Sequence, residues 1–470
     1  MKILFLSQVF PDDSAPVRGT FNLALCQALS EEHKVRVIAP RPWTETLPRT
    51  LRRQGSLRGD EILARTTLTA SYPTFWYLPK VALHHTAGAM AHGVHTAVQE
   101  VTRDFQPDVV LSYWADPEGV VGLRVANQLG VPAACIVGGT DVLILPHRSP
   151  RRLEQVRGVL QNSDAIITVS DGLRHACHDL GAPRDRVRTI YQGIDQRQFS
   201  PRDRLEARKR LKIPQGVNAF VWVGRIVGLK RLDLLLEATS ILHRAGGRLK
   251  LFVLGDGPQR AAMEAYAETL GVSTAVDFVG PVLPSDLADW YSAADATVLS
   301  SDSEGLPNVL RESLACGTPF VSTEVGSVSE LAQPNFSRLV AKGNAGDLAN
   351  AMAEITDSKY RVAAGLYRSR TWQECATEIA GWLHQLTRGK SVARSRSTAE
   401  APRDVMDLLR ASSPPLAAQP AAGTAANQSA DVMNRRQESA PSVDNNPVDD
   451  FMAALNQSLV PSGPAGRRRS

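Results

Sequence analysis

Asn218–Ala238, NAFVWVGRIVGLKRLDLLLEA, opens as an apolar strand, passes through a glycine turn and continues as an amphipathic helix. A buried strand feeding a helix calls for a parallel neighbour, because the helix must carry the chain back across the sheet face. That neighbour follows as Arg248–Arg260, RLKLFVLGDGPQR, a second apolar run ending in a glycine turn. AVDFVG, ATVLSS and TPFVST continue the series. Upstream, MKILFLS, HKVRVIA, DVVLSYW, PAACIVG, DAIITVS and VRTIY form another such set, again separated by amphipathic segments. The alternation predicts an α/β chain with two doubly wound parallel sheets. A polar stretch near residues 195–205 separates the two sets and marks the hinge.

Open parallel sheets bind ligands beyond the carboxyl ends of their strands, so the active site belongs in the cleft between the lobes. Arg225 and Lys230 lie in the turn after the first strand of the second set, and Gly255 and Gly257 in the close-approach turn after the next. Further on, EGLPNVLRE spans Glu304 to Glu312. Pro307 suits a first helical turn, Gly317 a helix stop and Pro319 the entry to a strand. Glu304 then precedes the helix and Glu312 lies inside it, about 12 Å apart at 1.5 Å rise per residue. The backbone N–H groups of Gly305, Leu306 and Asn308 at that helix start suit an anion such as a diphosphate. Two cations in the neighbouring turn would neutralise the same group as it departs.

VGRIVGLK, LGDGP and SDSEGLPNVLRESLACGTPFVSTEVGSVSELA, in this order, resemble the retaining family-4 glycosyltransferases of the GT-B fold (glycosyl transferases group 1). FPDDSAPVRGTFNLA, SYWADPEGVVG, GGTDV and VSDGLRHACHDLG match more loosely in the first half, and the resemblance covers residues 1 to 388. It implies an acceptor-binding lobe over 1–200, a nucleotide-sugar lobe over 201–365 and a helix over 366–388 packing back on the first lobe; beyond it the shift to Ala, Ser, Pro, Asn and Arg predicts a disordered tail over 389–470. The implied activity is transfer of a sugar, with retention and without metal or other cofactor, from a nucleotide-diphosphate sugar to a saccharide, lipid-linked saccharide or glycoconjugate. Arg225 and Lys230 would hold the phosphates, Glu312 the ribose hydroxyls, and Glu304 with Gly305, Leu306 and Asn308 the transferred sugar. On this reading Glu304, Arg225 and Lys230 carry the chemistry, and the leaving diphosphate takes the acceptor's proton.

In four places the chain departs from the family pattern. Tyr113 and Gly138 stand where the family often has histidine, Arg231 where a glycine follows the lysine, and Ser327 where a glycine pair is common. A tyrosine donates a hydrogen bond but never becomes an imidazolium.

Arg18 and Gly19, Tyr113 and Asp116, and Thr140 and Asp141 fall in loops after successive first-lobe strands, which makes them the acceptor-side candidates. Asp116 or Asp141 would orient an acceptor hydroxyl; the alternative for each is a helix N-cap. Two other classes stay open: an epimerase or hydrolase acting on the donor alone, and a non-catalytic nucleotide-sugar scaffold whose tail recruits partners.

With 470 residues and 43% hydrophobic content the chain has material for two cores. A net charge of +5 suits acidic ligands or an anionic membrane surface and, without a nucleic-acid-binding motif, is too mild to argue for nucleic acid as the partner. Cysteines 26, 135, 177, 316 and 375 lack paired spacing and read as reduced core residues of a cytosolic protein. The aromatic run SYPTFWYLP is the candidate for peripheral contact with the inner face of the cytoplasmic membrane, with packing in the core as the alternative. His85, His92 and His95 have only loosely ligand-like spacing and read as solvated or packed side chains, not a metal site. In the tail, DVMDLLRA and VDDFMAALNQSLV are short patches suited to a protein partner.

Overall fold

The computed structural model describes residues 1–51, 57–78 and 85–394. The first sheet holds β1 (Lys2–Leu6), β2 (Lys34–Ile38), β3 (Thr69–Ser71), β4 (Val109–Tyr113), β5 (Ala133–Val137), β6 (Ala165–Thr168) and β7 (Val187–Thr189), in the order β3-β2-β1-β4-β5-β6-β7. The second holds β8 (Asn218–Val223), β9 (Leu249–Leu254), β10 (Val276–Gly280), β11 (Ala296–Leu299), β12 (Phe320–Thr323) and β13 (Ser337–Val340), in the order β10-β9-β8-β11-β12-β13. Every pairing in both sheets is parallel. Both strand orders reverse beside the first strand of the sheet, and the reversal opens a crevice at the carboxyl edge.

Each sheet is buried on both faces, as the unbroken apolar runs require. Phe220, Trp222, Leu251 and Val253 pack under the helix Leu232–Arg244, whose buried face includes Leu232, Leu235 and Leu236. Ile3, Phe5, Leu111 and Ile166 belong to the first-lobe core, which also takes in Trp372, Ile379, Trp382 and Leu383 of the last helix. The chain therefore crosses from the first lobe to the second near Ile194 and returns near Thr371, where these two residues bridge. The last helix runs from Trp372 to Arg394, past the boundary at 388 expected from composition. The rest of the anticipated tail lies outside the described residues, as do residues 79–84 of the aromatic and histidine-rich stretch. Among the described residues no helix is long and apolar enough to cross a membrane.

Candidate active site

Gly224 follows β8 and Gly255 follows β9, and the two turns pack backbone to backbone. A Cβ on Gly255, whose φ is +135°, would sit 1.8 Å from the Gly224 carbonyl oxygen, and one on Gly257 would sit 2.3 Å from that of Ile226. The close approach anticipated at these glycines is thus made by the neighbouring loop, a structural reason for glycine that involves no ligand. The contact fixes the path of the loop bearing Arg225, which is half-buried, and Lys230, which closes a short turn over Gly228–Lys230.

Lys230 Nζ donates to Glu304 Oε1 at 2.5 Å, and Ser301 Oγ donates to the same oxygen at 2.6 Å. The loops beneath are tied together. Ser300 Oγ donates to the Lys230 carbonyl at 3.0 Å, and the Asp302 N–H to that of Leu229 at 2.9 Å. Arg231 takes the left-handed conformation, φ 46°, where the family pattern has glycine, and its guanidinium bonds both Asp233 and Asp302. Those two ion pairs hold a backbone conformation that a side chain ordinarily avoids. Asp302 and Glu304 each have a cationic partner within the protein.

The helix after Glu304 spans Asn308–Ala315 with Pro307 at its cap and no side chain capping it. Its first N–H groups therefore lack intrahelical acceptors at the end facing Glu304. Glu312, one turn further in, accepts from the Tyr291 hydroxyl at 2.9 Å, and burial raises its pKa. Asn308 Oδ1 accepts from Arg311 at 2.9 Å, and Leu306 packs partly against the apolar cluster around Leu310.

The acceptor-side residues divide. Gly19 has φ +59° and stands where a Cβ would meet the Val9 carbonyl oxygen at 2.2 Å, so glycine is obligatory there. Arg18 Nη1 pairs with Glu45 at 2.9 Å, while its Nη2 is buried without a hydrogen-bond partner. Tyr113 is buried at the end of β4. A Cβ on Gly138 would sit 2.7 Å from Trp114 Nε1 and 2.9 Å from the Tyr113 hydroxyl. Tyrosine and indole together fill the space a histidine at 138 would need, so the two departures are one packing solution.

Asp141 is fully buried. Its Oδ1 accepts the Gly138 and Gly139 N–H groups at 3.1 and 2.8 Å, and Oδ2 accepts that of Ala115 at 2.9 Å. It staples the loops after β4 and β5 together, with backbone N–H groups on both of its oxygens. Asp116 is buried too, 3.7 Å from Arg152. Thr140 is half-buried at the start of the short helix Thr140–Leu143.

Burial also pushes the Asp116 carboxyl up to about 6 and that of Glu118 to about 8. Glu118 accepts from the Gln8 N–H at 3.1 Å, and its other oxygen has no partner. A proton at Glu118 relieves the cost of an uncompensated charge there. Between the ordinary carboxyl value, about 4.3, and the raised ones, the folded chain holds protons that the unfolded chain releases, so stability falls as pH rises across that window. The melting temperature should drop between about pH 5 and pH 8, and Glu118→Gln should flatten the slope.

Composition and spacing missed the contacts between the lobes. Glu330 accepts the N–H groups of Asp171 and Gly172 at 2.8 and 2.7 Å, at the start of the first-lobe helix Asp171–Asp179, and the Tyr191 hydroxyl at 2.9 Å. Ser327 Oγ donates to Ser170 Oγ at 2.7 Å, and its N–H donates to the Gly305 carbonyl at 3.0 Å. A Cβ on Gly139 would lie 3.5 Å from Gly305 Cα. The lobes therefore touch through the loop that carries Glu304. Ser327 and Glu330 stand inside GSVSELA, but no periodicity reveals that they face another lobe.

Residues 19–198 match the family Glycosyltransferase Family 4, and residues 203–368 the family Glycosyl transferases group 1. A D-inositol 3-phosphate glycosyltransferase of Catenulispora acidiphila is 37% identical over 64% of this chain and 78% of its own length. TuaC of Bacillus subtilis, named for teichuronic acid biosynthesis, is 27% identical over 82% of this chain and 97% of its own. In architecture the chain is similar to a sucrose-phosphate synthase of Thermosynechococcus elongatus, with TM-score 0.65, 20% identity, and 83% of this chain and 100% of that one covered. It is likewise similar to Anabaena HepE solved with UDP-glucose, with TM-score 0.59, 18% identity, and 84% and 100% covered.

Proposed function

From the premise that the chain belongs to the group 1 glycosyltransferases of family 4, enzymes that move sugars from nucleotide donors, we propose that it binds a nucleotide-diphosphate sugar between Lys230 and the helix start at Asn308. The observation that carries this is the Lys230–Glu304 pair held at that helix start. The diphosphate lies against Arg225, Lys230 and the free N–H groups, which stabilise the charge it gains as the glycosidic bond breaks. Glu304 faces the sugar hydroxyls and keeps Lys230 in place until the phosphate arrives. Glu312 accepts from the ribose hydroxyls on one side and from Tyr291 on the other.

The acceptor enters over Arg18, whose free Nη2 suits an anionic or hydroxyl group, with Tyr113 and Asp116 at the floor. Its hydroxyl attacks from the face the diphosphate leaves, giving its proton to the departing phosphate oxygen. Configuration is then retained, with no side chain as the base and no metal needed. A uridine diphosphate sugar is the first donor to try, because HepE was solved with UDP-glucose. The acceptor class we favour is a saccharide or a lipid-linked saccharide, met at a membrane surface.

Calorimetry with nucleoside diphosphates and their sugars tests the donor reading. A diphosphate should bind, its monophosphate should bind more than tenfold more weakly (about 1.4 kcal/mol), and full-rate donor breakdown without acceptor would overturn transfer in favour of hydrolysis. Glu312→Gln should raise the donor KM about tenfold with kcat little changed, the signature of lost uniform binding. An unchanged KM would remove Glu312 from the donor site.

A further inference from the structure

We infer that the hinge carries a second anion site, behind the donor-side helix start and sharing Leu306 with it, for inorganic phosphate or the phosphoryl end of a small monoester. A cavity of about 220 Å3 opens where the chain crosses between lobes, bounded by Tyr191 and Gln192 on the outward crossing and by Tyr367–Arg370 on the return. Arg311 lies in its wall, 6% exposed. Its guanidinium donates to Asn308 Oδ1 and to the carbonyls of Gln192 and Gly193, all neutral groups, and no carboxylate pairs with it among the described residues. Glu312 offsets part of that burial through space but bonds Tyr291 rather than Arg311, and a bound anion would offset the rest.

Two further groups in the same wall are unsatisfied. Ser369 Oγ, on a residue 6% exposed, and Arg370 Nε are buried without hydrogen-bond partners. The cavity's own carboxylate, Glu330, is already engaged by Asp171, Gly172 and Tyr191. Arg370 and Arg368 reach Glu378 and Glu374 through Nη2, which leaves Arg370 Nε unused and Arg368 exposed at the mouth. Guanidinium forks and a hydroxyl match a tetrahedral oxyanion, and the space is too small for a nucleotide sugar. An anion there would join the outward and return crossings, so it would bias how the lobes sit.

Because the donor cleft also attracts phosphate, the test uses full-length Arg225→Ala/Lys230→Ala protein, and its readout is binding rather than transfer. Inorganic phosphate at about a hundred times its Kd should raise the melting temperature by about 3 °C. Adding Arg368→Ala and Arg370→Ala should abolish that rise, and Ser369→Ala should weaken binding about tenfold by calorimetry. Glycerol 3-phosphate separates the sources: tighter binding than phosphate assigns a monoester, equal binding the free ion. No shift in the donor-silenced protein, or a shift indifferent to Arg368, Ser369 and Arg370, overturns the site.

Discussion

Lys230→Ala is expected to lower kcat by about 100- to 1,000-fold while weakening donor binding far less. The reason is where its charge acts. In the resting site Lys230 Nζ is engaged by Glu304, so the cation is already positioned, and donor binding exchanges one anionic partner for another. The larger gain comes when the diphosphate leaves and its bridging oxygen acquires charge, an interaction strengthened in the transition state. Loss of one preorganised donor at a developing oxyanion costs about 100- to 1,000-fold elsewhere. The fold should survive, since Ser301 still holds Glu304 and the Asp302 N–H still bonds the Leu229 carbonyl. Lys230→Arg keeps the charge but not the geometry and should recover part of the rate. Steady-state nucleotide release beside donor calorimetry separates the two effects, and equal losses in rate and affinity would assign Lys230 to ground-state binding alone.

Most of the fold could be read from the chain, because fully buried parallel strands leave long apolar runs that nothing else explains. The two edge strands that left no such signal, Thr69–Ser71 and Ser337–Val340, are short and half exposed. The turns that carry Arg225, Lys230 and Glu304 were legible as loops at strand ends because glycine and proline spacing along one chain reports a local geometry. What the side chains touch was not. Asp141 and a ligand-binding aspartate look alike in sequence, and only the three N–H groups aimed at its oxygens distinguish them. Gly255 and Gly257 likewise read as ligand contacts until the neighbouring loop is placed against them. Arg311 and Glu330 were invisible for a related reason, since their partners lie more than a hundred residues away in the chain.

The remaining large effect is expected where the lobes meet. Ser327 holds the donor loop with its N–H and the first lobe with its hydroxyl, and Glu330 accepts three hydrogen bonds from that lobe. Closure and placement of Glu304 are thus mechanically one event, the arrangement expected of an enzyme that must exclude water from its donor. Glu330→Ala should cut kcat about 10- to 100-fold and enlarge the radius of gyration of the donor-bound protein in solution scattering, because the closed state loses its specific contacts. Gly326→Ala tests the same coupling from the other end. At φ +54° its new Cβ would lie 1.8 Å from the Glu304 carbonyl oxygen, so it must push the Glu304 loop aside while leaving Glu330 untouched. It should match Lys230→Ala in rate loss and enlarge the radius as Glu330→Ala does, because the displaced loop carries the Ser327 contact with it. If Glu330→Ala stays compact and fully active, lobe contact and donor-loop placement are independent, and the closed arrangement is then held by the crossing segments alone.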